Sequence, residues 1–134
     1  MTALLLCCFA ATTLANDECE DATLIDPNSE TDFDTAGATE SSQPFTPSQC
    51  PDTYFTAIGP DIWFVLNLES AGKLLLTTCS PGSYDTDLSL YTGTCALMTQ
   101  VACNGDAGNL PACQPFFSRI IIDVNFPGTY YVRI

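Results

Sequence analysis

The stretch Ser83-Tyr84-Asp85-Thr86-Asp87-Leu88-Ser89-Leu90-Tyr91-Thr92-Gly93-Thr94-Cys95 holds the clearest periodicity and the densest turn chemistry of the chain. Leu88 and Leu90 alternate with Asp87, Ser89 and Tyr91, the period of two that marks a strand with one face buried and the other in water. Asp85 and Asp87 stand where this strand begins and Thr92-Gly93-Thr94 turns the chain, so residues 97–103 are expected to return as a second strand. The hairpin would set the Asp85/Asp87 turn and the Asn104-Gly105-Asp106 turn at the same end of one sheet.

Outward from this hairpin the same alternation recurs. Asp61-Ile62-Trp63-Phe64-Val65-Leu66-Asn67-Leu68 follows a Gly59-Pro60 turn and carries Ile62, Phe64, Leu66 and Leu68 on one face, the pattern of a central strand. Ser70-Ala71-Gly72 turns the chain and residues 73–79 return, which predicts a hairpin over 61–79. Residues 22–25 predict a short first strand and 33–39 another extended segment. Residues 40–53, rich in Ser, Pro, Gln and Thr without an apolar period, read as a long loop tied down by Cys50. Downstream, 104–115 is a loop and 116–124 a strand with Ile120, Ile122 and Val124 on one face. After Asn125-Phe126-Pro127-Gly128, Tyr130, Val132 and Ile134 alternate with Tyr131 and Arg133 in a last strand. Short strands between Gly, Pro, Asn and Asp turns, with no amphipathic helix after residue 15, predict an all-β fold: an antiparallel β-sandwich.

A chain of 134 residues suits one domain. Residues 1–15 are uncharged, apolar from 3 to 11, and end Thr13-Leu14-Ala15, which reads as a secretory signal peptide cut before Asn16. The domain then runs over 16–134, and its ending on a β-rich run fits either a strand that closes the sheet or a fragment of a longer secreted protein. No later segment is long and apolar enough to span a bilayer. The formal net charge of −13 falls wholly after Ala15 and disfavours nucleic acid and anionic lipid, since there is no cationic surface to release counterions. Cys19, Cys50, Cys79, Cys95, Cys103 and Cys113 follow the signal, an even set that predicts disulfides formed in an oxidising, extracellular setting. Zinc is disfavoured, because there is no His and no Cys-x-x-Cys pair. The connectivity is open: the spacing favours Cys19 with Cys50, Cys79 with Cys95 and Cys103 with Cys113, with Cys79 to Cys103 as an alternative.

Several segments, in order, resemble the bacterial pre-peptidase C-terminal domains: Asn16-Asp17-Glu18-Cys19, Phe33-Asp34-Thr35-Ala36-Gly37-Ala38-Thr39, Asp61-Ile62-Trp63-Phe64, Tyr84-Asp85-Thr86-Asp87-Leu88-Ser89-Leu90-Tyr91, Ala102-Cys103-Asn104-Gly105-Asp106 and Gly128-Thr129-Tyr130-Tyr131-Val132-Arg133-Ile134. The resemblance implies a non-catalytic, jelly-roll-like sandwich carried on secreted proteins, often beside a peptidase, and in relatives binding calcium or an extracellular polymer.

Asp85, Asp87, Asn104 and Asp106 are the candidate calcium ligands, hard oxygens from two loops at one sheet end; the same residues also close turns through side-chain to backbone bonds. The acidic run Asp17, Glu18, Glu20 and Asp21 reads as a solvated terminus. Among Tyr54, Phe55, Trp63, Tyr84, Tyr91, Tyr130 and Tyr131, the best candidates for a ligand-facing ring are Tyr91 and Tyr131, which share a face with Ser89 and Arg133. Without His, and with its cysteines oxidised, the chain lacks the groups of Ser-His-Asp, Cys-His and His-zinc catalysis. The expected function is a secreted, non-catalytic module that attaches to an extracellular polymer or surface, or assists secretion or folding of a covalently linked neighbouring domain. The alternatives are a structural spacer without a ligand and, behind it, a carboxylate-dependent glycoside hydrolase.

Overall fold

The computed structural model describes residues 16–50, 59–80, 84–108 and 113–134. The signal-peptide reading of 1–15, Tyr54 and Phe55 lie outside the described residues. Among the described residues there are seven strands: β1 (Thr23–Leu24), β2 (Trp63–Leu68), β3 (Gly72–Thr77), β4 (Leu88–Thr94), β5 (Leu97–Asn104), β6 (Arg119–Val124) and β7 (Gly128–Arg133). They form a five-stranded sheet in the order β1-β2-β7-β4-β5 and a two-stranded sheet of β3 and β6. The all-β fold is as expected, and among the described strands every pairing is antiparallel except that of β1 on β2, which is parallel.

The apolar alternations converge between the two sheets. Ile62, Phe64 and Leu66 from the β2 segment, Leu88 and Leu90 from β4, and Tyr130 and Val132 from β7 meet Ile120 and Val124 of β6, with Leu74 and Leu76 of β3 packed beside them. Each large apolar side chain so removed from water contributes about 1.5–3 kcal/mol, which makes this layer the main source of stability. The expected 61–79 hairpin does not form, because both flanks of β2 are taken by β1 and β7. β3 instead crosses to the opposite layer and pairs with β6, from Gly72 opposite Val124 to Thr77 opposite Arg119. Its burial pattern fits this: β2 is covered on both faces, whereas Lys73, Leu75 and Thr77 of β3 are exposed. Residues 33–39 form a turn rather than a strand, with Asp34 Oδ1 accepting from the Ala36 N–H at 2.8 Å and Gly37 at φ 86°.

The β4–β5 hairpin is present as predicted and its turn depends on Gly93. That residue has φ 107°, and a Cβ there would collide with the Leu97 carbonyl oxygen. The expected wet face of β4 is absent, since Ser89 and Tyr91 are as buried as Leu88 and Leu90. The reason is tertiary. Residues 16–22, 39–50 and 59–61 cross the outer face of the large sheet, with Asn16 accepting from the Trp63 N–H at 2.7 Å and Thr39 from the Asp61 N–H at 3.0 Å. Cys19, Trp63, Tyr91 and Met98 make a second buried cluster beneath them.

Candidate functional site

The cover over the outer face has little regular structure, so its buried backbone groups need side-chain partners. Asp17 and Asp61 supply acceptors. The Asp17 carboxylate takes the Thr39 N–H at 2.6 Å and its hydroxyl at 2.9 Å, and Asp61 takes the Ser41 N–H at 3.1 Å. Arg133, at the end of β7, supplies donors: its guanidinium donates to the Gln43 and Ser41 carbonyls, each at 3.2 Å, and to the Asp61 carboxylate. The Arg133 and Asp61 side chains are each 4% exposed. Ser41 links the pair to the sheet, since its hydroxyl donates to Asp61 and accepts from the Trp63 indole N–H at 2.8 Å. Arg133 also lies 5.2 Å from the centre of the Trp63 ring, which in turn sits 5.4 Å from that of Tyr91. Burial pushes the Tyr91 phenol above its ordinary pKa, an effect the neighbouring Arg133 guanidinium opposes. The Tyr91 hydroxyl and Gln43 Oε1 have no hydrogen-bond partner among the described residues.

A bulge in β5 aims the other tie between sheet and cover. The register passes from Leu90 opposite Ala102 to Tyr91 opposite Gln100, leaving Val101 as the extra residue. Gln100 and Cys103 are thereby both turned toward the cover and buried. Gln100 accepts from the Thr46 N–H and donates to the Thr46 carbonyl, both at 3.1 Å, and Cys103 is bridged to Cys50.

The turns at the far end of the hairpin do come together, as Leu88 lies opposite Asn104. They are joined by hydroxyls and backbone. Thr78, Thr86 and Ser118 form a buried hydroxyl chain, with Thr78 to Thr86 at 2.7 Å and Thr86 to Ser118 at 3.1 Å. Asn104 accepts from the Arg119 N–H at 2.8 Å and donates to the Asp106 carbonyl at 3.2 Å, so its side chain closes the turn. Asp85 and Asp87 also line a cavity. Among the described residues no group of three or more Asp, Glu, Cys or His side chains that could hold a metal ion is present.

That cavity, of about 180 Å³, opens where β4 begins and β7 ends. Phe45 and Tyr84 form apolar walls, Asp85 and Asp87 stand near them, and Ser89 with the Arg133–Asp61 pair also line it. Tyr84 is fixed by Thr35, whose N–H it accepts at 3.1 Å, and by Phe33, whose ring centre lies 5.6 Å away. Of the two rings picked from the sequence, Tyr91 is fully buried rather than exposed; the cover that excludes water from Ser89 also excludes it from Tyr91. Tyr131 is half-buried against the Trp63 cluster. Phe45, Asp61 and Arg133 were not singled out as site residues. The available signal was that only three basic residues exist and one stands in the apolar alternation of the last strand.

All six cysteines after residue 15 are bridged, but in none of the expected pairs. The bonds are Cys19–Cys95, Cys50–Cys103 and Cys79–Cys113. The first ties the N-terminal 3-10 turn to the β4–β5 turn, the second ties the cover to β5, and the third joins the chain after β3 to the chain before β6. The expected pairs follow nearness in sequence, whereas the observed ones join segments that only the layering brings together. Among the described residues no helix is long and apolar enough to cross a membrane. No family model, no curated protein and no solved structure matches the chain.

Proposed function

We propose that this chain is a secreted, non-catalytic binding module that attaches to an extracellular polymer through the cleft beside β4 and β7. The observation that carries the reading is the composition of that cleft: the rings of Phe45 and Tyr84 beside the carboxylates of Asp85 and Asp87 and the Ser89 hydroxyl. A ring to lie against an apolar sugar face, with acceptors for its hydroxyls, is a set of groups that binds rather than reacts. The buried ion pair is engaged in holding the cover, and the cysteines are engaged in disulfides of the kind formed in an oxidising compartment. The ordered motifs resembling pre-peptidase C-terminal domains point the same way.

The test is retention of the purified chain on a panel of insoluble neutral polysaccharides. Retention that is lost in Phe45→Ala and Tyr84→Ala, with unchanged circular dichroism and melting, supports the reading. No retention on any polymer, or retention indifferent to both substitutions, would replace it with a spacer that has no ligand of its own. Release of shortened sugars from the polymer would instead favour the hydrolase.

A further inference from the structure

The two-stranded sheet covers only part of the large one. β6 packs beside β5, and β3, on the other side of β6, has no strand partner on its second edge among the described residues. Which backbone groups face that edge follows from the register. The Thr78 N–H donates to the Ser118 carbonyl at 3.0 Å, so Thr78 and Ser118 are a directly hydrogen-bonded pair. Alternation along an antiparallel ladder then turns the backbone of Leu74 and Leu76 toward β6, and that of Lys73, Leu75 and Thr77 away from it.

A cavity of about 400 Å³ lies along this edge. Residues 75–80 form one wall and residues 29–33, following β1, form the other; the cavity also reaches the inner-face side chains Phe64, Leu88 and Val132. Glu30 and Asp32 are exposed on the second wall, and no Lys or Arg lines the cavity.

We infer that the free edge of β3 takes up an extended peptide from a partner protein, apolar residues alternating with Lys or Arg, as an added strand. Main-chain bonds to Lys73, Leu75 and Thr77 supply the pairing, and alternate side chains reach the apolar floor. The acidic wall selects the basic residues. A second copy of this chain is the wrong occupant on charge, because each copy carries −13. The edge shares only Ile134 with the end cleft, so it stands or falls apart from polymer binding.

The probe is a capped peptide of about eight residues alternating valine with lysine, long enough to run the length of β3; its glutamate counterpart is the comparison. Binding of the lysine peptide that slows hydrogen exchange at the Lys73, Leu75 and Thr77 amides, with the glutamate peptide inert, is the expected result. Leu75→Pro removes a donor from the free edge while leaving the ladder to β6, and should weaken binding by about tenfold or more with the Leu74 and Leu76 amides still protected. Should that variant fail to fold, Glu30→Lys combined with Asp32→Lys, both on exposed positions, should weaken binding to a similar extent. Lysine-peptide binding that leaves the three amides unchanged, or that survives in the folded variants, would be general attraction to an acidic surface and overturns the inference. Self-association of the free chain through the same amides would make a second copy the occupant and overturns it too.

Discussion

The two faces of the five-stranded sheet are both covered over β2, β7 and β4, but by different means. The inner face meets a second sheet whose backbone is already paired, so packing Phe64, Leu90, Val132 and their neighbours is enough. The outer face meets chain with little regular structure, which brings unpaired N–H and C=O groups under cover with it. Asp17, Asp61, Gln100 and Arg133 answer those groups one by one, and two disulfides hold the cover in place. A sheet can therefore be sealed by irregular chain, on condition that it lends its own polar side chains to the cover.

The largest expected effect falls on the outer face. Arg133→Ala leaves Asp61 buried without its cation and the Ser41 and Gln43 carbonyls without donors, and should cost about 3–5 kcal/mol in denaturant unfolding. Replacing both partners, Arg133→Met with Asp61→Leu, separates the two roles. If the ion pair alone mattered, the double variant would recover most of that loss, as apolar replacements of buried pairs often do. Because the cover's backbone still lacks its partners, recovery should be incomplete; full recovery would break the contrast between the faces. On the inner face, Leu90→Ala should cost about 2–5 kcal/mol by lost burial and a residual cavity, with no change in exchange at the Ser41 amide beyond that of global destabilisation.

A smaller effect belongs to Tyr91. Its folded pKa is raised by burial, so the folded state holds the phenolic proton more tightly than the unfolded one. The Tyr91 contribution to stability should therefore be fully present below the ordinary phenol range, about 10, and be lost as pH rises through the raised value. Spectrophotometric titration should show one phenol ionising above the ordinary phenol range, and Tyr91→Phe should abolish that late step without loss of stability at neutral pH. An unchanged titration in Tyr91→Phe would refute the assignment. Smallest of all, Lys73→Ala removes an exposed 2.7 Å pair with Asp123 and should leave the melting temperature unchanged.

The inner face was legible in the sequence because its rule is periodic. Alternation alone placed Ile62, Phe64, Leu66, Leu88, Leu90, Ile120, Val124, Tyr130 and Val132 in one core and located the hairpin beginning at Leu88. The outer face was not legible, since nothing in the pattern of Ser89, Tyr91 and Arg133 tells polar residues that face water from polar residues that serve a covering loop. The same lack of a third dimension misdirected the disulfides and drew β3 into a hairpin with β2. Of the candidate site, Asp85 and Asp87 were found from turn chemistry, whereas Phe45 lies in an aperiodic loop whose path only the tertiary contacts define.

The spans of the crosslinks overlap: Cys19 and Cys95 are 76 positions apart and Cys79–Cys113 begins inside that span. A protease that severs any one peptide bond between Cys19 and Cys113 thus fails to release a fragment. The nicked molecule migrates as an intact one until a reductant is added, and its two pieces stay close enough to keep their packing. Damage of this kind is contained by the wiring of the chain itself.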